Sequence, residues 1–335
     1  MANQSPAGGE AGEEVRPVRR RLWRWARILV ALGLVAGVVA VARPGDLWRT
    51  LRDASYGWVA LAVPLVMASV FLDSLRLLFL MNPHGFSAGL KSVVHTNLVV
   101  NCVSVFLPGT VGGGAVAWYR LSRPDKLRAQ TFAALALNTV LKLVVVSGLG
   151  ALALAFDATA RGAYREWIAP LAVLAAVPFA ALALMLWTPA TPWVKAMHQG
   201  VFSRFLPRFA REAILKILES FETYRASKRS VLGALLVGFG SRLILNLAAF
   251  YCLVAVGGGA GYVTLLWIMC ATEAAAMMPF TLSGWGMPQV AYVGLLSLAG
   301  VAADVALASH VAMWVAMLPV YLAGAGILMR EAKRP

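Results

Sequence analysis

The sequence predicts an all-α integral membrane protein: a polytopic helical bundle with two opposed re-entrant hairpins, related as an inverted repeat. Three observations carry that expectation. Of the 335 residues 60% are hydrophobic and 13% charged, whereas a soluble domain is ~45–50% apolar and ~25% charged. The apolar runs are separated by clusters of arginine and lysine, so the formal charge of +15 follows the positive-inside pattern and argues against a nucleic-acid partner. Finally, the run Leu-Pro-Gly-Thr-Val-Gly-Gly-Gly at 107–114 lies inside apolar sequence. Proline removes a backbone donor and glycine is flexible, so this run predicts a broken or re-entrant helix, with a short surface loop as the alternative.

Residues 1–25 form a basic N-terminus. Its first fifteen positions are rich in Gly, Ala and Glu and predict disorder. Arg16, Arg19, Arg20, Arg21, Arg24 and Arg27 follow, with Trp23 and Trp25 among them, a membrane anchor that puts the N-terminus in the cytoplasm. The transmembrane domain runs over 26–330. Its first span, 26–42, lacks a small-x-small cleavage site and reads as a signal anchor. The next, 57–80, carries Asp73 and Arg76 one helical turn apart. Residues 93–107 hold Asn97 and Asn101 on one face and are too short and polar for an ordinary span. Lys91 on one side and Arg120, Arg123, Lys126 and Arg128 on the other make 93–120 a hairpin entering from the cytoplasm.

Spans follow at 129–155, with Asn138 and Lys142, and at 167–187. The basic stretch 188–229 contains an amphipathic helix at 208–225, lying on the membrane surface or against a partner. A span at 231–256 carries Arg242 and Asn246, and the run 262–280 carries Glu273. An apolar stretch to 300 and a span at 305–329 complete the chain, with Arg330, Lys333 and Arg334 holding the C-terminus in the cytoplasm.

Pro-Gly-Thr-Val-Gly-Gly at 108–113 and Pro-Phe-Thr-Leu-Ser-Gly at 279–284 share the pattern Pro-x-Thr-aliphatic-small-Gly. Each follows an arginine-bearing span and a short apolar segment, and each precedes a short segment and a full span. The repeats are therefore 57–155 and 231–329. Charge bias makes them opposite in topology, the arrangement in which transporters place a site near the midplane.

Charged groups inside a span need a partner or a cavity, because each costs at least ~2.5–3.5 kcal/mol at a helix centre. Arg76, Lys142, Arg242 and Glu273, with Asp73, therefore become candidates for one site with a cationic surplus, suited to phosphate. Asn101, Thr110, Gly112, Gly113, Thr281, Ser283 and Gly284 would line it, and helix ends at the breaks would add backbone donors. Plainer readings stand beside these: Asp73–Arg76 as a local structural pair, Lys142 reaching a headgroup, and the asparagines as helix-to-helix hydrogen bonds. Cys102, Cys252 and Cys270 have no disulfide or metal spacing, the four histidines have no ligand spacing, and no P-loop occurs. No cofactor, metal or catalytic residue is expected.

The sequence at 101–113, Asn-Cys-Val-Ser-Val-Phe-Leu-Pro-Gly-Thr-Val-Gly-Gly, is followed by Tyr-Arg-Leu at 119–121. With Pro-Phe-Thr-Leu-Ser-Gly-Trp-Gly at 279–286, it resembles the flippase-like transmembrane domain of lysylphosphatidylglycerol synthases over roughly residues 30–330. The resemblance implies lipid translocation. Relatives commonly carry an acid and a base in each motif. Here Gly114, Ala117, Pro288 and Gln289 stand in those places, so a role resting on those charges does not transfer. The favoured expectation is a flippase-like inner-membrane protein moving an anionic lipid or lipid-linked intermediate. The alternative is a non-transporting scaffold or accessory subunit of a lipid- or glycan-modifying enzyme. An enzyme in its own right is the weakest choice, since acids are few and metal spacing is absent.

Overall fold

The computed structural model describes residues 44–87, 89–106, 109–122, 127–157, 176–180, 182–183, 187, 222–276 and 287–332. The N-terminal 1–25 segment, the 26–42 span, most of the 167–187 span, residues 208–221 of the amphipathic helix and the second break, with Thr281, Ser283 and Gly284, lie outside the described residues.

The first element, α1 (Pro44–Arg52), was not expected from the apolar pattern. Its local signals are nonetheless strong: proline at the first position, Asp46 in the first turn, and Arg49 and Arg52 in the last. Four elements follow as a set: α2 (Tyr56–Met81), α3 (Leu90–Ser104), α4 (Gly109–Ser122) and α5 (Arg128–Phe156). A second set of four comes after residue 227: α6 (Lys228–Ala255), α7 (Tyr262–Ala276), α8 (Met287–Leu298) and α9 (Ala303–Ala332). Their lengths run 26, 15, 14 and 29 residues in the first set and 28, 15, 12 and 30 in the second. No strand occurs among the described residues. Among the described residues four helices, α2, α5, α6 and α9, are long and apolar enough to cross a membrane. At 1.5 Å per residue a 15-residue helix reaches only ~22 Å, short of the ~30 Å hydrocarbon core. Both sets therefore consist of a long helix, two short ones and a long helix.

The Gly-rich run is not unwound. Gly109 to Gly114 form the first turns of α4, against the expectation of a break over 107–114. Two physical reasons account for this. The proline precedes the helix in sequence, where a missing N–H is no loss. The glycines also permit close packing: a Cβ on Gly113 would fall 2.5 Å from Ser104 Oγ and 3.2 Å from Val100 Cγ1 on α3.

The long helices α2 and α6 make the largest helix contact in the molecule and run antiparallel. Ser55 N donates to the Ala255 carbonyl at 2.8 Å, and Trp58 stacks on Tyr251 at 5.4 Å. Further along, Gly238 faces Arg76 and Gly233 faces Phe79. Around this pair each set leans on the other, α3 packing on α9 and α7 on α5. Both crossings use a glycine against a cysteine. A Cβ on Gly150 would lie 2.9 Å from Cys270 Cβ, and one on Gly324 would lie 2.8 Å from Cys102 Cβ and collide with the Leu98 carbonyl.

The apolar side chains form separate layers. One gathers Leu77, Leu80, Val93, Leu137, Leu141 and Ala234. Another gathers Val59, Val66, Leu98, Ala248, Cys252 and Ala316, and a third centres on Leu265, Ile268, Tyr292 and Leu296. Large apolar residues such as Leu236 and Leu322, 63% and 68% exposed, cover the outside. That surface suits lipid, where there is no water to exclude it.

Candidate functional site

Between the first two layers lies a band of polar residues. On α2 the buried apolar residues run to Val70 and resume at Leu77, and Asp73 and Arg76 lie between them. On α6 the gap between Ala234 and Ala248 holds Ser241, Arg242 and Asn246. On α5, Lys142 follows Leu141 directly. Glu273 stands near the end of α7.

Arg76 is 3% exposed and Arg242 5% exposed, well below what solvated guanidinium groups show, so both need partners within the protein. Arg76 Nε donates to Asn138 Oδ1 at 2.9 Å, and its Nη1 lies 3.3 Å from Asp73 Oδ1. The Ser241 hydroxyl, reaching across from α6, lies 2.9 Å from the same Asp73 oxygen and 3.1 Å from the Ser69 carbonyl. Arg242 Nη1 pairs with Glu273 Oε1, joining α6 to α7. Lys142 is half-buried and interacts electrostatically with Glu273, Arg242, Asp73 and Arg76. The five charges thus come from four helices into one cluster, two acids against three bases.

The cluster is incompletely satisfied. Arg76 Nη1, Arg242 Nε and Glu273 Oε2 are buried without a hydrogen-bond partner among the described residues. Each such atom costs on the order of 1–3 kcal/mol, more for charged groups. A network built only to hold helices together has no reason to keep three. The open Arg242 Nε beside a lysine that closes no ion pair among the described residues suits an anion, while the open Glu273 oxygen calls for a donor.

The other expected lining residues are placed differently. Asn101 Nδ2 donates to the Asn97 carbonyl one turn back at 2.9 Å, within its own helix. Asn97 instead joins α3 to α2, donating from Nδ2 to Ser74 Oγ at 2.8 Å. Gly113 serves the contact between α3 and α4 described above, with Gly112 beside it in the same helix. Thr110 lies in the first turn of α4. Of the positions where relatives carry charge, Gly114 is exposed and Ala117 buried. Gln289 is buried, its Nε2 3.1 Å from His310 Nε2.

Residue-level reasoning missed two partners. Ser241 is an unremarkable serine in sequence, and only the α2–α6 crossing brings it to Asp73. Arg120, expected only as one of the charges flanking the 93–120 hairpin, forms a two-pronged ion pair with Glu331 at 2.6 and 2.7 Å, tying α4 to the end of α9. The Glu331 carboxylate, bonded to it, raises the pKa of the Arg120 guanidinium above its usual value. The near-terminal Glu331 carried no signal that would have revealed this. Among the described residues, no group of three or more His, Cys, Asp or Glu could hold a metal ion.

A multi-pass helical bundle with an ionic cluster between apolar layers defines a polytopic membrane protein with a buried polar centre. The family described as lysylphosphatidylglycerol synthase TM region matches residues 25–324, and the chain belongs to that family. A search of curated proteins finds no match.

Proposed function

We propose that this protein moves an anionic lipid or lipid-linked intermediate between the leaflets of the inner membrane, with both termini in the cytoplasm. One observation carries the reading: Arg76, Lys142 and Arg242 outnumber Asp73 and Glu273 in a cluster drawn from α2, α5, α6 and α7. Intramembrane charge is expensive and marks a pathway more often than a strut. Arginine suits a phosphate oxygen pair, and a lysine with no direct ion pair among the described residues adds attraction at longer range. The family membership supports a membrane-lipid context. The matched long-short-short-long sets and their reciprocal packing support an inverted repeat that opens alternately to the two sides. In this reading the protein performs no covalent chemistry on its cargo.

The test is lipid movement in proteoliposomes, using fluorescent phospholipids, polyprenyl phosphates and aminoacylated lipids in turn. The wild type moves an anionic member of the set, and Arg242→Ala or Glu273→Ala abolishes the movement. A wild type inactive toward all three classes overturns the reading.

A further inference from the structure

The ionic cluster is unevenly paired. Asp73 is held by Arg76 and reached by the Ser241 hydroxyl. Among the described residues Glu273 has one ion-pair partner, and the contact is end-on, with guanidinium Nη1 meeting carboxylate Oε1. The second carboxylate oxygen, Oε2, and the Arg242 Nε are buried and open among the described residues. A guanidinium and an oxyanion favour the two-pronged contact, so Glu273 leaves half of that fork unused. Lys142 closes no ion pair within 4.0 Å among the described residues, although Glu273 is the first of its electrostatic partners.

Resting on the anion-binding reading above, we infer that Glu273 is a resident carboxylate occupying the cargo's place. A singly charged phosphodiester takes the fork of Arg242, and Glu273 passes to Lys142. The exchange leaves no acid unpaired: before it Lys142 is the spare cation, and after it Glu273 neutralises Lys142 while the diester neutralises Arg242. Each guanidinium or ammonium keeps one anion, the condition for holding charges out of water.

The surplus of one positive charge selects the cargo. A phosphodiester with no other charge cancels it. A doubly charged phosphomonoester leaves one negative charge uncompensated among apolar layers, and a zwitterionic headgroup leaves the surplus as it was. The site therefore takes a lipid with a single phosphodiester and no amine in its headgroup.

The experiment uses the full chain in phosphatidylcholine nanodiscs, with competition between phosphatidylglycerol and phosphatidic acid followed by native mass spectrometry. The pH is set where the monoester is doubly charged. The wild type binds phosphatidylglycerol at least about tenfold more tightly, the ratio expected for one uncompensated buried charge. Glu273→Gln raises the surplus to two and reverses the preference toward phosphatidic acid. Lys142→Gln removes both the surplus and the refuge of Glu273, and lowers phosphatidylglycerol binding by about tenfold or more. Preferences are ratios measured on one sample, so partial loss of folded protein cancels.

A wild type that prefers the monoester, or a Glu273→Gln variant that keeps the wild-type order, overturns the inference while leaving anion binding intact. No binding of either anionic lipid above the phosphatidylcholine background overturns the anion-binding reading as well. Displacement of phosphatidylglycerol by soluble glycerophosphoglycerol at equal concentration overturns its assignment to a lipid.

Discussion

Asp73 and Glu273 face similar guanidinium groups but are held by different numbers of partners, and substitutions separate them. Ser241→Ala removes a hydroxyl that meets a half-buried carboxylate and lowers stability by about 1.5 kcal/mol, the low end for hydrogen bonds to charged groups. Arg76 retains Asp73 in that variant, so the loss stays near that value. Arg242→Met removes the one ion-pair partner of Glu273 among the described residues, and with Lys142 left to receive the carboxylate the cost stays below the about 3–5 kcal/mol of a stranded buried charge. The double variant Arg242→Met with Glu273→Met recovers much of this, because a buried pair replaced by apolar groups is often close to neutral. Thermal unfolding of the four proteins in one detergent gives the comparison. Gly238 is a third residue-scale test. A Cβ there would lie 3.1 Å from Arg76 Cδ and 3.3 Å from Val145 Cγ2, so Gly238→Ala pushes on the arginine and costs about 1–3 kcal/mol.

At the scale of elements, the two glycine–cysteine crossings set how closely α3 approaches α9 and α7 approaches α5. Gly324→Val and Gly150→Val each drive a helix pair apart, with a loss of more than about 1–3 kcal/mol in unfolding temperature measurements. The Arg120–Glu331 pair is weaker support. Its glutamate side chain is 45% exposed, and a double-mutant cycle is expected to return about 0.5–1 kcal/mol. Element positions were largely legible from hydropathy. The spans expected at 57–80, 129–155, 231–256 and 305–329 correspond to α2, α5, α6 and α9 within a few residues. Composition misled at 109–114, where intrinsic propensity argued against a helix that packing against Val100 and Ser104 stabilises. It was silent at α1, whose evidence lies in its end residues and in Thr50 Oγ1 donating to Asp304 Oδ2 at 3.0 Å. The charged members of the site could be picked out one at a time, since a charge in an apolar run stands out. The Asp73–Arg76 pair was legible too, from its i,i+3 spacing, whereas the contacts between helices were not, because Ser241 and Asp73 are 168 positions apart.

Over the whole molecule, each set of four helices leaves its first short helix to be covered by the last long helix of the other. Neither set buries its own apolar surfaces alone. Expressed separately, residues 1–187 and 188–335 are expected to be degraded, whereas co-expression is expected to give a complex that elutes as one species in size-exclusion chromatography. Recovery of either half as a stable, monodisperse protein contradicts this account of the packing. The same architecture puts the ionic cluster where α2 and α6 cross against α5 and α7, so no single helix owns it.

The contact between Gly150 and Cys270 divides α7 into two unequal arms. Glu273 follows Cys270 by three residues, roughly 4.5 Å along the axis, whereas Tyr262 at the far end of α7 is eight residues away, roughly 12 Å. A tilt of α7 about this point therefore swings Tyr262 nearly three times as far as Glu273. The carboxylate sits on the short arm, so any such tilt would move Glu273 little beside Arg242.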